Sequence, residues 1–231
     1  MSSLRLLLYV ALSAGLILLF VLGAHVAWQI PFGVMTRDVF AIAALHPFTS
    51  ILSNLGILLW MATASICAFA ALCCWHRHKH RAARFFGCSA LLSGYLLVDD
   101  FFMMHEHLLP DLGVPEKGVY ALLGGAVLIY LWHFRGIIVR HRPLAFAVAL
   151  GLLATSVGLD SISDPYLYRY GDWHFIMENA PKWMGIATWC SYYVAAAYDY
   201  VAPAPSIPPM TPADGAPPVA FPHKPAEVDM A

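Results

Sequence analysis

The stretch Val98-Asp-Asp-Phe-Phe-Met-Met-His-Glu-His107 decides how this chain is read. It sets two aspartates, one glutamate and two histidines within or beside a run that is otherwise apolar enough to span a membrane. Ionisable side chains at membrane depth are costly to insert and mark functional sites by default. On either side of this stretch, apolar blocks of about 20 residues recur, the length a helix needs to cross roughly 30 Å of hydrocarbon.

The composition supports that reading. The 231 residues are 60% hydrophobic and only 12% charged, and mean hydropathy is +0.67. A soluble domain carries about 25% charged residues. The expected fold is therefore all-α: a polytopic integral membrane protein of about six transmembrane helices in a bundle, residues 1–201. Residues 202–231 follow as a Pro- and Ala-rich tail that cannot bury a core, expected to be disordered and cytoplasmic. A net charge of -1 provides no basic field for nucleic acid. The cysteines (Cys67, Cys73, Cys74, Cys88 and Cys190) lie in apolar runs without a CxxC pair, so they read as small buried hydrophobes.

The expected spans are Leu4–Ala24, Ile51–Trp75, Phe85–Leu109, Gly118–Phe134, Leu144–Ser161 and Met177–Tyr198. The first is too long for a signal-peptide core and is taken as an uncleaved span. Gln29 to Ser50 holds a short apolar piece, Val39 to Leu45, that is too short to cross and suits an interfacial or re-entrant segment. Arg77, Lys79, Arg81 and Arg84 crowd one loop, and Arg135, Arg140 and Arg142 another. The positive-inside rule makes both loops and both termini cytoplasmic, with the protein in the cell (inner) membrane. Trp28 and Trp173 then fall near the outer interface, and Trp75 and Trp132 near the inner one. His76, His78 and His80 form an HxHxH pattern, but interleaved Arg and Lys make it a solvated stop-transfer loop.

On a regular helix with Asp99 at zero, Glu106 lies at roughly -20°, His107 at about 80° and Asp100 at about 100°. These four share an inward face, and His105 falls on the far side unless the helix unwinds near Pro110. Asp160 and Asp164 on the fifth span, and Glu178 and Lys182 on the sixth, reach a similar depth in the outer half of the membrane. Gly185 is a place where another helix can approach closely. The carboxylates exceed the nearby fixed cation, Lys182, so the pocket calls for raised carboxyl pKa values, a bound cation or partial hydration.

Two function classes follow. The first is a metal-dependent intramembrane hydrolase acting on a lipid or amphiphile that enters from the bilayer. Asp99, Asp100, Glu106, Asp160 and Lys182 are its candidate catalytic residues, and Asp99, His105, Glu106, His107, Asp160 and Glu178 its candidate metal ligands. Mixed Asp, Glu and His donors suit zinc, manganese or iron, and such a metal activates water. Acids and histidines on several spans resemble, in kind only, intramembrane hydrolases such as alkaline ceramidases; HxxxH occurs only at His76 and His80, away from the acids, so no residue role is transferred. The alternative is a proton- or cation-coupled transporter or channel, or a structural subunit whose polar network fixes helix packing. Against transport, the inner half offers no obvious polar track.

Overall fold

The computed structural model describes residues 3–37, 39–46, 48–167 and 173–202. All regular structure among them is helical. The elements are α1 (Ser3–Trp28), α2 (Phe32–Thr36), α3 (Val39–Ala43), α4 (Ile51–His76), α5 (His80–Phe102), a π-turn (Met104–Leu108), α6 (Leu109–Asp111), α7 (Glu116–Ile138), α8 (Pro143–Leu167) and α9 (Trp173–Val201). The expected tail, beyond Ala202, lies outside the described residues.

Four helical segments are long and apolar enough to cross a membrane: Val10–Trp28, Ile51–His76, His80–Phe102 and Lys117–Ile138. They overlap the first four expected spans, although the third ends at Phe102 and not at Leu109. Long helices meet most of their own backbone hydrogen bonds, as lipid requires of a spanning segment, and large apolar side chains stand outside. Leu58, Phe69, Leu91, Leu122, Ile129 and Leu144 all stand exposed on its surface. The fifth and sixth expected spans are the long helices α8 and α9. The described apolar part of α8, Pro143–Leu159, is shorter than a full crossing. In α9, Lys182 and Asp199 lower the apolar content.

The buried centre is aromatic. Trp60 of α4, Phe85 and Phe86 of α5, Tyr130 and Phe134 of α7, Phe146 of α8, and Trp189, Tyr192 and Tyr193 of α9 form one cluster. Edge-on and tilted ring pairs tie it together, including Trp60–Trp189 at 6.2 Å, Phe85–Phe134 at 5.5 Å and Phe146–Tyr192 at 4.9 Å. These geometries match the quadrupole preference of aromatic rings. Helix α9 lies between α4 and α8, and α4 also packs on α5. α1 makes its main contact with α2, where His25 stacks on Phe32 at 4.1 Å.

Two glycines set how closely the helices approach. A Cβ on Gly56 of α4 would come within 3.1 Å of Ile186 Cδ1, and a Cβ on Gly185 of α9 within 2.9 Å of Leu153 Cγ and 3.1 Å of the Leu153 backbone nitrogen. Small residues at such crossings let helix backbones pack without a hydrophobic drive, which lipid does not supply.

α5, α7 and α9 bring polar side chains together around the aromatic cluster. The Ser89 hydroxyl lies 2.8 Å from Tyr130 Oη, and Tyr130 Oη 2.8 Å from Tyr193 Oη. One turn along α5, Trp189 Nε1 donates to Ser93 Oγ at 3.1 Å. Two serine hydroxyls a turn apart on one helix face meet a tyrosine hydroxyl of α7 and an indole N–H of α9, a coincidence that no single span betrays. In a low dielectric, satisfied networks of this kind fix one packing arrangement.

Candidate functional site

The opening stretch does not continue as an α-helix. α5 ends at Phe102; Met103 takes a left-handed conformation (φ 48°, ψ 47°), and its N–H donates to the Asp99 carbonyl. The next five residues, Met104–Leu108, form a π-turn. Widened turns of this type occur frequently at functional sites.

This break overturns the helical-wheel placement of His105. On a regular helix, residues six apart stand about 120° from each other. Here the π-turn carries His105 round onto Asp99, and both are buried. His105 Nδ1 lies 2.7 Å from Asp99 Oδ2, and the His105 backbone N–H donates to Asp99 Oδ1 at 3.1 Å. With Asp99 ionised, Nδ1 is the donor, because a carboxylate only accepts. The imidazole ring also meets the Tyr120 ring of α7, at 5.3 Å.

Asp100 belongs to a different group. It points about 100° round α5 from Asp99, toward α4 and α9. Trp60 Nε1 donates to its Oδ2 at 2.9 Å, and Lys182 Nζ lies 2.9 Å from its Oδ1. The structure therefore divides the two adjacent aspartates between two networks, on faces of one helix about 100° apart. A cavity of about 30 Å³ adjoins Asp100 and Lys182, lined also by Ser53, Gly56, Asn179 and Trp183. That is room for water rather than for an organic substrate. Trp183 Nε1, which is buried, has no acceptor among the described residues.

Of the residues singled out from sequence, Asp99, Asp100, His105 and Lys182 have described side chains, and all four take part in these contacts. The side chains of Glu106, His107, Asp160, Asp164 and Glu178 lie outside the described residues. Among the described residues, no three of His, Cys, Asp and Glu gather as a metal-ligand set. Sequence reading missed Trp60, Tyr120 and Trp183. A tryptophan inside a span signals a buried N–H in need of an acceptor, but nothing in the sequence tells which acceptor it finds.

The opposite end of the bundle is tied by charge. Arg142, between α7 and α8, donates to both carboxylate oxygens of Asp199, and His141 Nδ1 lies 3.7 Å from Asp199 Oδ2. The hydrogen bond from Arg142 holds the Asp199 carboxyl below its ordinary value, and Asp199 in turn raises Arg142. Both groups are largely solvated, so the pair positions the end of α9 more than it stabilises it.

A family described as "Domain of unknown function (DUF8692)" matches residues 7–196. The chain belongs to the DUF8692 family. The match covers every described contact of the Asp99 and Asp100 networks, so these lie within the DUF8692 domain. No curated protein and no solved structure matches the chain.

Proposed function

We propose that this protein is a six-span protein of the cell inner membrane, with both termini cytoplasmic, that takes up and releases protons at a site in the outer half of the bilayer. The Asp99–His105 pair, hydrogen-bonded inside a helix break, carries this reading. An imidazole titrates nearest neutral pH of all side chains, and a carboxylate bonded to one ring nitrogen fixes which nitrogen exchanges its proton. The Ser93 and Ser89–Tyr130–Tyr193 hydroxyls, further along α5, supply polar groups toward the inner half.

The topology has its own support. α9 runs alongside the spanning helix α4 from the Gly56–Ile186 contact to the hydrogen bond of Arg77 with the Tyr200 carbonyl, so it crosses at the same depth, and α8 packs on α9. Trp28 and Trp173 at one end of the bundle and Trp75 and Trp132 at the other are all exposed, as interfacial aromatic belts require. The arginine- and lysine-rich loops all lie at the second end.

The test is proton flux into liposomes carrying the purified protein. Asp99→Asn and His105→Gln are expected to reduce flux to the leak of empty vesicles while retaining the wild-type melting temperature. Equal flux through wild type and well-folded Asp99→Asn would eliminate the proposal.

A second reading rests on the same pair. A carboxylate behind a histidine is the usual support of a metal-binding imidazole, and Glu106 and His107 follow directly in the π-turn. With Asp160 and Glu178 from α8 and α9, they would hold zinc, manganese or iron for hydrolysis of a lipid or amphiphile, and Lys182 would polarise its carbonyl. That reading predicts about one metal ion per chain in detergent-purified protein. Metal-free protein whose melting does not shift with zinc, manganese or iron would sink it.

A further inference from the structure

The seam between α5 and α7 holds a second pair of features, separate from the acid–base site. The two helices touch near one end through Phe85, Ser89, Tyr130 and Phe134, and at the other α7 meets the π-turn that follows α5 through Tyr120 and His105. Between these contacts they part. Leu91, Leu92 and Tyr95 of α5 and Leu122, Leu123 and Ala126 of α7 line an apolar groove of about 530 Å³ that is open on one side. Arg84 and His133 close its basic end. From Arg84 to Tyr95 the groove follows about 16 Å of helix.

Next along the same seam is a cavity of about 550 Å³ lined by His78, Lys79, His80, Arg81, Arg140 and Tyr200. Arg81 Nη2 would lie 3.2 Å from a Cβ at Gly136, so the absent side chain lets the guanidinium rest against α7. Among the described residues, no carboxylate lines either cavity. The nearby acid, Asp199, is taken up by Arg142 and His141.

We infer that the α5–α7 seam binds one anionic phospholipid, its phosphate held by Lys79, Arg81 and Arg140 and one acyl chain lying in the groove. Charge complementarity identifies the occupant. Three fixed cations with no lining carboxylate select an anion, and an apolar groove along the same two helices, with Arg84 at its near end, selects an anion that carries a hydrocarbon chain. Basic pockets at the cytoplasmic ends of spanning helices hold acidic lipid headgroups in this way. A zwitterionic lipid satisfies the groove but leaves the cations uncompensated, and a free phosphate does the reverse. None of the acid–base residues takes part, so this inference stands apart from the proton reading.

The experiment is a lipid titration of the detergent-solubilised full chain, followed by native mass spectrometry and by melting temperature. Phosphatidylglycerol is expected to bind at one lipid per chain and raise the melting temperature, and phosphatidylcholine to do neither. Arg81→Gln/Arg140→Gln is expected to weaken phosphatidylglycerol binding about thirty-fold, at about 1 kcal/mol for each cation near the headgroup. Arg37→Gln/Arg135→Gln removes the same charge elsewhere and should bind as wild type does. Ala126→Phe, which fills the groove and spares the cations, should also weaken binding. Equal binding of the two lipids by wild type overturns the inference, whatever the variants do. So does equal loss in the Arg37/Arg135 control, or an equal stabilisation by inorganic phosphate alone.

Discussion

Replacing Lys182 by Met is expected to destabilise the bundle by about 3 kcal/mol, the lower end of what is lost when one partner of a buried ion pair is removed. Lys182 pairs with Asp100 at 2.9 Å, with side-chain exposures of 39% and 12%. The partial exposure of the lysine places the loss at the lower end. Without it, Asp100 retains one donor, the Trp60 indole, and an uncompensated charge. The reciprocal variant separates charge from contact. Asp100→Asn/Lys182→Met carries no charge and still accepts from Trp60, so it should recover most of the loss. Thermal unfolding in one detergent at fixed concentration measures both. If Lys182→Met melts with wild type, the ion pair contributes nothing to the fold.

Gly185→Ala is expected to cost about 1–3 kcal/mol, as overpacking a tight interface does. The added methyl meets Leu153 Cγ at 2.9 Å, Cδ2 at 3.0 Å and the backbone nitrogen at 3.1 Å. A side chain can rotate away, but a backbone nitrogen moves only with its helix. Adding Leu153→Ala should therefore restore part of the stability and not all of it. Full recovery would mean that the side chain alone sets the α8–α9 distance. A neutral Gly185→Ala would mean that the two helices separate at no cost.

Much of the fold was legible because membranes simplify the code. Apolar length alone locates the first four spans, and their helical segments follow those blocks closely. Gly185 was legible as a close crossing because lipid-embedded helices have few other ways to pack. The site was legible in composition but not in arrangement. The wheel placed Asp99 and Asp100 on one inward face, yet α7 lies on one side of α5, where His105 meets it, and α4 with α9 on another, so each aspartate found a different partner. His105 was assigned outward because the wheel assumes unbroken pitch, and no glycine or proline at Met103 announces the break. Trp60 was passed over because an indole in an apolar run reads as bulk until its acceptor, forty residues along, is known. The Ser89–Tyr130–Tyr193 hydroxyl cluster needs one residue from each of three helices, a conjunction outside the reach of any single-span pattern.

The left-handed Met103 has a consequence for how the site is built. A non-glycine residue in that region costs roughly 1–2 kcal/mol, and here it ends α5 and starts the π-turn that brings His105 to Asp99. The relation between Asp99 and His105 is therefore stored in main-chain torsion rather than in the choice of side chains. Two residues that a regular helix would keep permanently apart become neighbours through one local twist. The twist behaves as a latch: untwisted, the chain would keep every side chain of the pair and lose the pair itself.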